Sequence, residues 1–118
     1  MNIEDVRAYC LSLKNVTECL PFDDMHLVFK VEDKMFLLLP LDTDSPQIAV
    51  KCEPDLAMDL RQRYNAVVAA WHFNKKYWNS IELEGDMKDD EIRNMILHSY
   101  SEVIAKLPKR IRNKYDEA

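Results

Sequence analysis

The stretch Ala70–Leu83, AWHFNKKYWNSIEL, concentrates side chains that could do chemistry: His72, Asn74, Lys75, Lys76, Tyr77, Trp78 and Asn79, with no acid before Glu82. Imidazole, amide and amine groups at that density suit proton transfer, ligand recognition or contact with a polyanion, and the aromatic rings among them could equally anchor a core. Proton transfer and nucleophilic attack lack the remaining parts. A nucleophile needs a base within reach and a third group that orients the base. His98 and Ser99 are adjacent, so on a helix their side chains diverge. His26, His72 and His98 form no HxxxH or HExxH pair, and Cys10, Cys19 and Cys52 form no CxxC. A metal centre and a disulfide framework are therefore not expected, and the three thiols read as reduced packing groups. Gly85 is the only glycine, whereas phosphate-cradling loops and nucleophile elbows need several. No enzyme activity and no cofactor are expected.

A polyanion is the remaining partner for this basic run, and the overall charge of −5 opposes it. The distribution qualifies that objection. Leu60–Ile81 holds Arg61, Arg63, Lys75 and Lys76, and Lys106–Tyr115 holds Lys106, Lys109, Arg110, Arg112 and Lys114, neither segment with an acid. Nine of the 16 basic residues thus occupy 32 positions, while the other 86 carry seven bases against 21 acids. Such a chain can present one basic face on an acidic body.

The elements that must position these groups follow from pattern. At 118 residues and 47% hydrophobic content the chain is one folded domain. No stretch approaches the ~18 apolar residues of a membrane span, and Met1–Asp5 does not resemble a signal peptide, so a cytoplasmic location is expected. Ile3, Val6, Cys10 and Leu13 predict a helix over 3–14. Residues 15–25, with Pro21, read as a connection that brings Phe22 onto the core. His26–Leu39 predicts a hairpin about Glu32-Asp33 whose turn, lacking glycine, should be longer than two residues. Gln47–Cys52 alternates as a third strand, and Pro54 opens a helix reaching Tyr64. Val67–Ala70 and Tyr77–Leu83 predict two more strands joined by the 72–76 corner. Asp89, Asp90 and Glu91 open a long helix whose apolar face is Ile92, Ile96, Tyr100, Val103 and Leu107. The order α-β-β-β-α-β-β-α describes a single α+β domain over residues 1–107, an antiparallel sheet with helices at both chain ends, followed by a basic tail, 108–118.

Several residues together resemble a known family. Pro21-Phe22 before the first hairpin, Lys34-Met35-Phe36 in its second strand, Lys51 ending the third, His72-x-Asn74-Lys75-x-x-Trp78-Asn79, and Ser99-Tyr100 in the last helix are similar to the MmcQ/YjbR pattern over nearly the whole chain. The sequence departs from it where Ala69-Ala70 replaces a Pro-Gly and Tyr77 replaces a second histidine. The resemblance implies a CyaY-like, frataxin-type fold and DNA binding through a double wing. Lys34, Asn74, Lys75 and Lys76 would then contact DNA from the two hairpins, flanked by Arg61, Arg63, Lys109, Arg110 and Arg112. The remaining motif residues, Phe22, Lys51, His72, Trp78, Asn79, Ser99 and Tyr100, are structural or binding groups: Trp78 as a core anchor, His72 as a hydrogen-bonded histidine near a strand end. The alternative use of the Trp71–Trp78 cluster is as a protein- or small-ligand-interaction patch with no nucleic-acid role.

Overall fold

The structure, a computed structural model, describes residues 1–116; residues 117–118 of the expected tail lie outside the described residues. Helix α1 (Ile3–Ser12) begins in a capping box, with Asn2 Oδ1 accepting from the Asp5 N–H at 2.7 Å and Asp5 returning the bond to Asn2. It turns Val6 and Cys10 inward. Helix α2 (Pro54–Arg63) starts with Pro54 in its first turn, and the Glu53 carboxylate accepts from the Asp55 and Leu56 N–H groups. Helix α3 (Asp89–Ala105) carries three acids in its first turn, where the helix dipole favours them.

Six antiparallel strands form one sheet: β1 (Val16–Cys19), β2 (His26–Val31), β3 (Lys34–Pro40), β4 (Gln47–Lys51), β5 (Val67–Ala69) and β6 (Trp78–Glu82), in the spatial order β1-β2-β3-β4-β6-β5. Alternation divides them into two faces. Phe29, Val31, Leu37, Leu39, Ile48, Val50, Val67 and Ile81 point to the helices and form one core with Val6, Cys10, Ala57, Leu60, Ile92, Ile96, Tyr100 and Val103. Burial raises the Cys10 thiol pKa to about 12 and the Cys52 thiol to about 11, so both are inert packing groups. The helix expected over 3–14 ends at Ser12.

Two expectations are corrected. The connection over 15–25 contains strand β1, which pairs in full register with β2 from Val16↔Val31 to Cys19↔Val28. Only Val16 of its four residues packs on the core, too little for a period to show. The segment also leaves Phe22 71% exposed rather than on the core. The β2–β3 turn is the tight two-residue kind, since Val31 pairs directly with Lys34 and both Glu32 (φ 50°) and Asp33 (φ 65°) are left-handed. Glu32 is held there by the Tyr115 hydroxyl at 2.8 Å and the Lys114 ammonium at 3.6 Å. Asp33 has no comparable tie: its side chain is 97% exposed and its one cation, Lys30, is 3.9 Å away. Left-handed strain of about 1–2 kcal/mol at a non-glycine exceeds the extra chain entropy of glycine, about 0.5–1 kcal/mol. Asp33→Gly is expected to stabilise the protein by ~0.5 kcal/mol in urea unfolding; a loss of stability would show that the Lys30 contact outweighs the strain.

After α3 the chain continues as a short helix, α4 (Lys109–Arg112), and folds back. Ile111 and Tyr115 pack against the main core, with Tyr115 edge-on to Tyr100 at 6.2 Å. Gly85 has a local steric role, because a Cβ there would meet the Ala66 Cβ at 2.6 Å. That approach lets the Asp86 carboxylate accept from the Asn65 and Ala66 N–H groups, both at 2.8 Å, which hold its pKa below the usual carboxylate range.

Candidate functional site

The antiparallel register brings three chain segments to one end of the sheet. Lys34 begins β3, Lys51 ends β4 opposite Trp78, and the 70–77 corner leads into β6. The end of α3 lies over the same place, so that Lys34, Met35, Lys51, Val103, Lys106 and Leu107 enclose a notch of about 350 Å³. A smaller hollow, about 180 Å³, continues from Lys51 and Lys106 to Tyr77. The Lys106 and Lys76 ammonium groups lie 5.1 and 5.6 Å from the centre of the Tyr77 ring, and Lys75 lies 4.1 Å from that of Trp71. Five lysines, 34, 51, 75, 76 and 106, therefore share one end of the molecule. Among the described residues none of them pairs with a carboxylate, whereas Arg7, Arg63, Arg93 and Lys114 all do. Lys51 is half-buried, and desolvation, aided by the neighbouring Lys106 charge, lowers its pKa.

The other expected site residues divide by what they touch. Arg61 turns inward: Nε donates to Asn79 Oδ1 at 2.6 Å, and an Nη group donates to the carbonyls of Trp78, at 3.3 Å, and Lys75. Asn79 is fully buried and its Nδ2 donates to the Ala57 carbonyl at 3.2 Å, which ties β6 to α2. Arg61 thus shapes the corner that carries Lys75 and Lys76. Asn74 Oδ1 accepts from the Lys76 N–H at 3.0 Å, a local turn bond. Arg63 pairs with Asp59 at 2.9 Å on the outer side of α2. Lys109 and Arg110 are exposed on α4, and Arg112 Nη1 donates to the Ala105 carbonyl at 3.4 Å.

Ser99 is fully buried; its hydroxyl donates to the Phe36 carbonyl at 2.5 Å and accepts from the Lys51 N–H at 2.9 Å. Tyr100 packs edge-on against Phe36 at 5.6 Å and donates to the Lys14 carbonyl at 2.7 Å; its pKa is pushed up to about 12, mainly by burial. Trp78 is half-buried and stacks on Phe73 at 4.6 Å, which makes it the wall of the corner rather than part of the main core. His72 is exposed, in place of the strand-end hydrogen bond expected of it. It lines a groove of about 280 Å³ on the sheet face opposite the helices, with Trp71, Phe73, Ala49 and Ser80. Sequence reading did not single out Lys106 as part of the site. The available signal was its spacing, seven residues or two helical turns after Ser99 and so on the same helix face.

A family model described as YjbR matches residues 11–102. The chain is similar to the Escherichia coli protein YjbR, with 29% identity over 112 residues and 95% of each chain covered. It is also similar to the Escherichia coli O157:H7 protein YbdF, with 30% identity over 107 residues, covering 91% of this chain and 88% of the relative. Among solved structures, Deinococcus radiodurans DR2400 superposes with a TM-score of 0.91 at 29% identity, covering 96% of this chain and 86% of that one. A Pseudomonas syringae protein superposes with a TM-score of 0.73 at 25% identity, covering 84% and 96%. The matched segment contains the Ser99 bridge between β3 and β4, the buried Asn79 and the lysine-bearing corner, and on this agreement of sequence and fold the chain belongs to the YjbR family.

Proposed function

We propose that this protein is a non-enzymatic, cytoplasmic DNA-binding domain that grips the phosphate backbone with the lysine-lined end of its sheet. The observation that carries the reading is the set of five lysines without carboxylate partners, gathered from the β2–β3 hairpin, the end of β4, the 70–77 corner and the end of α3. Phosphate neutralisation supplies most non-specific affinity, so a local basic surface serves even on a chain of net charge −5. The wings contribute unequally. The tip of the first is Glu32-Asp33, which leaves Lys34 as its contact, while the second offers Lys75 and Lys76. Arg61 supports that wing from beneath. The non-enzymatic part rests on Ser99, whose hydroxyl is fully engaged with backbone, and on His98, whose Nε2 accepts from the Glu53 N–H at 3.1 Å. No helix among the described residues is long and apolar enough to cross a membrane.

The test is fluorescence anisotropy of a labelled duplex at low and near-physiological salt, with wild type and Lys75→Ala/Lys76→Ala. Each lost phosphate contact reduces the slope of log affinity against log salt by about one unit, so the double variant should bind more weakly with a slope shallower by about two. Absence of wild-type binding at low salt, or an unchanged slope in the variant, would overturn the reading. A second reading has its own observation: Trp71 is 75% exposed beside the groove on the open sheet face. A protein or small-ligand partner seated there would bind with little salt dependence and would be lost in Trp71→Ala.

A further inference from the structure

We infer that the notch between Lys51 and Lys106 is a seat for one phosphate group, and that its ligand is a small phosphomonoester with a compact apolar part. The inference goes beyond the duplex reading: it shares lysines with it but does not depend on it.

Lysines from three elements line the notch, Lys34 from the start of β3, Lys51 from the end of β4 and Lys106 from the end of α3, and the last two are close enough for their charges to act on each other. That proximity is built in. The Ser99 hydroxyl bonds the Lys51 N–H from α3, and Lys106 follows it by seven residues, about 10 Å along the same helix face. The strand end and the helix end are therefore tied together with their amines adjacent. In the free protein this arrangement is electrostatically unfavourable. Lys51 is partly desolvated and faces a like charge, and its pKa is displaced downward as a result. An anion in the notch would convert that repulsion into attraction for both amines.

The facing acids indicate which anion. Glu102, one helical turn before Lys106, contributes an attractive charge at Lys51. His98 Nε2 accepts from the Glu53 N–H at 3.1 Å and lies 3.5 Å from the Glu102 carboxylate. Glu53 caps the α2 N-terminus and, with Glu102, lines the adjoining hollow. The notch itself is lined by three lysines and no acid, so the charge that faces an anion there is positive, which suits a phosphate. The notch has a volume of about 350 Å³. A phosphate alone does not fill it. Met35, Val103 and Leu107 line the rest and give an organic substituent an apolar wall.

Inorganic phosphate and phenyl phosphate, titrated into the isotope-labelled protein and followed by the backbone amide NMR signals of Lys51, Cys52 and Lys106, test the inference. Saturable shifts are expected, with phenyl phosphate binding more tightly than phosphate. Lys51→Met and Lys106→Met should each weaken binding at least ten-fold while the spectrum stays dispersed, and Lys88→Met, at an exposed lysine before α3, should leave it unchanged. Shifts that never saturate, or that are equal in all three variants, would reduce the seat to general charge screening and overturn it. Equal affinity for phosphate and phenyl phosphate would overturn the phosphomonoester part. The two readings separate cleanly, because a duplex that binds while neither phosphate does removes the seat, and the reverse pattern removes the duplex.

Discussion

Asn79→Ala should destabilise the protein by about 3–4 kcal/mol. The side chain is fully buried, and each end of its amide serves a different element: Nδ2 holds the Ala57 carbonyl of α2 at 3.2 Å, and Oδ1 holds the Arg61 Nε at 2.6 Å. Truncation leaves a helix carbonyl without this partner in a buried site and a guanidinium N–H without its partner in a part-buried one. An unsatisfied buried polar group costs about 1–3 kcal/mol, more when charged, and the deleted atoms leave a small cavity besides. The urea midpoint should fall with the m-value unchanged, since the surface exposed on unfolding stays the same. The loss also has a local signature. Arg61 holds the Lys75 and Trp78 carbonyls, so without its anchor the 70–77 corner should lose hydrogen-exchange protection before the rest of the sheet. Arg61→Met removes the charge that Asn79 satisfies, so in the double variant the two losses should fall short of additivity by about 1–3 kcal/mol. A cost below ~1 kcal/mol for Asn79→Ala, or strict additivity, would mean that Arg61 finds solvent instead and that the clamp is not what shapes the corner.

That clamp also marks the boundary of what sequence could reveal. The α3 face of Ile92, Ile96, Tyr100 and Val103 was legible because four buried residues repeat over a long helix, and the β2–β3 hairpin because eight of its apolar residues fall in two runs. Strand β1 was not, since it is held mainly by backbone pairing to β2 with one packed residue, and pairing leaves no trace in residue type. The tight turn was hidden for a related reason. Glycine is the usual marker of positive φ, and here Glu32 and Asp33 adopt it, the first held by contacts from residues more than eighty positions away.

The site was legible as a list of charges but not as a surface. A basic count does not distinguish Arg61, whose guanidinium is turned into the protein, from Lys51 and Lys106, whose amines share a notch. What separates them is the register Lys51↔Trp78 and the reach of one hydroxyl from α3, both long-range. Conversely, the motif residues Asn79 and Ser99 stood out only through the family resemblance, since nothing in their type tells a buried amide or hydroxyl from an exposed one. The fold shows that both are fully buried and which partners each must find.

Ser99→Ala tests whether that backbone role reaches the lysines. Beyond the paired Leu37↔Val50, the next rung of the β3–β4 ladder would join Phe36 to Lys51, but β3 bulges at Phe36, where Phe29↔Leu37 is followed by Lys30↔Met35. The Ser99 hydroxyl fills the gap, donating to the Phe36 carbonyl at 2.5 Å and accepting from the Lys51 N–H at 2.9 Å. Alanine leaves both groups unsatisfied unless the strands close on each other, which the bulge opposes. A cost of about 2–3 kcal/mol is expected, with faster exchange at the Lys51 amide than at Val50 beside it. Threonine keeps the hydroxyl but adds a methyl group in a site with no free surface, so it should recover the Lys51 protection while retaining part of the stability loss through overpacking. The functional consequence follows from geometry: with the splice gone, Lys51 is no longer fixed beside Lys106, and phosphate binding in the notch should weaken without any charge having been removed. An alanine variant that keeps wild-type stability and Lys51 protection would show that the rung closes without Ser99, and that the lysines are brought together by the sheet alone.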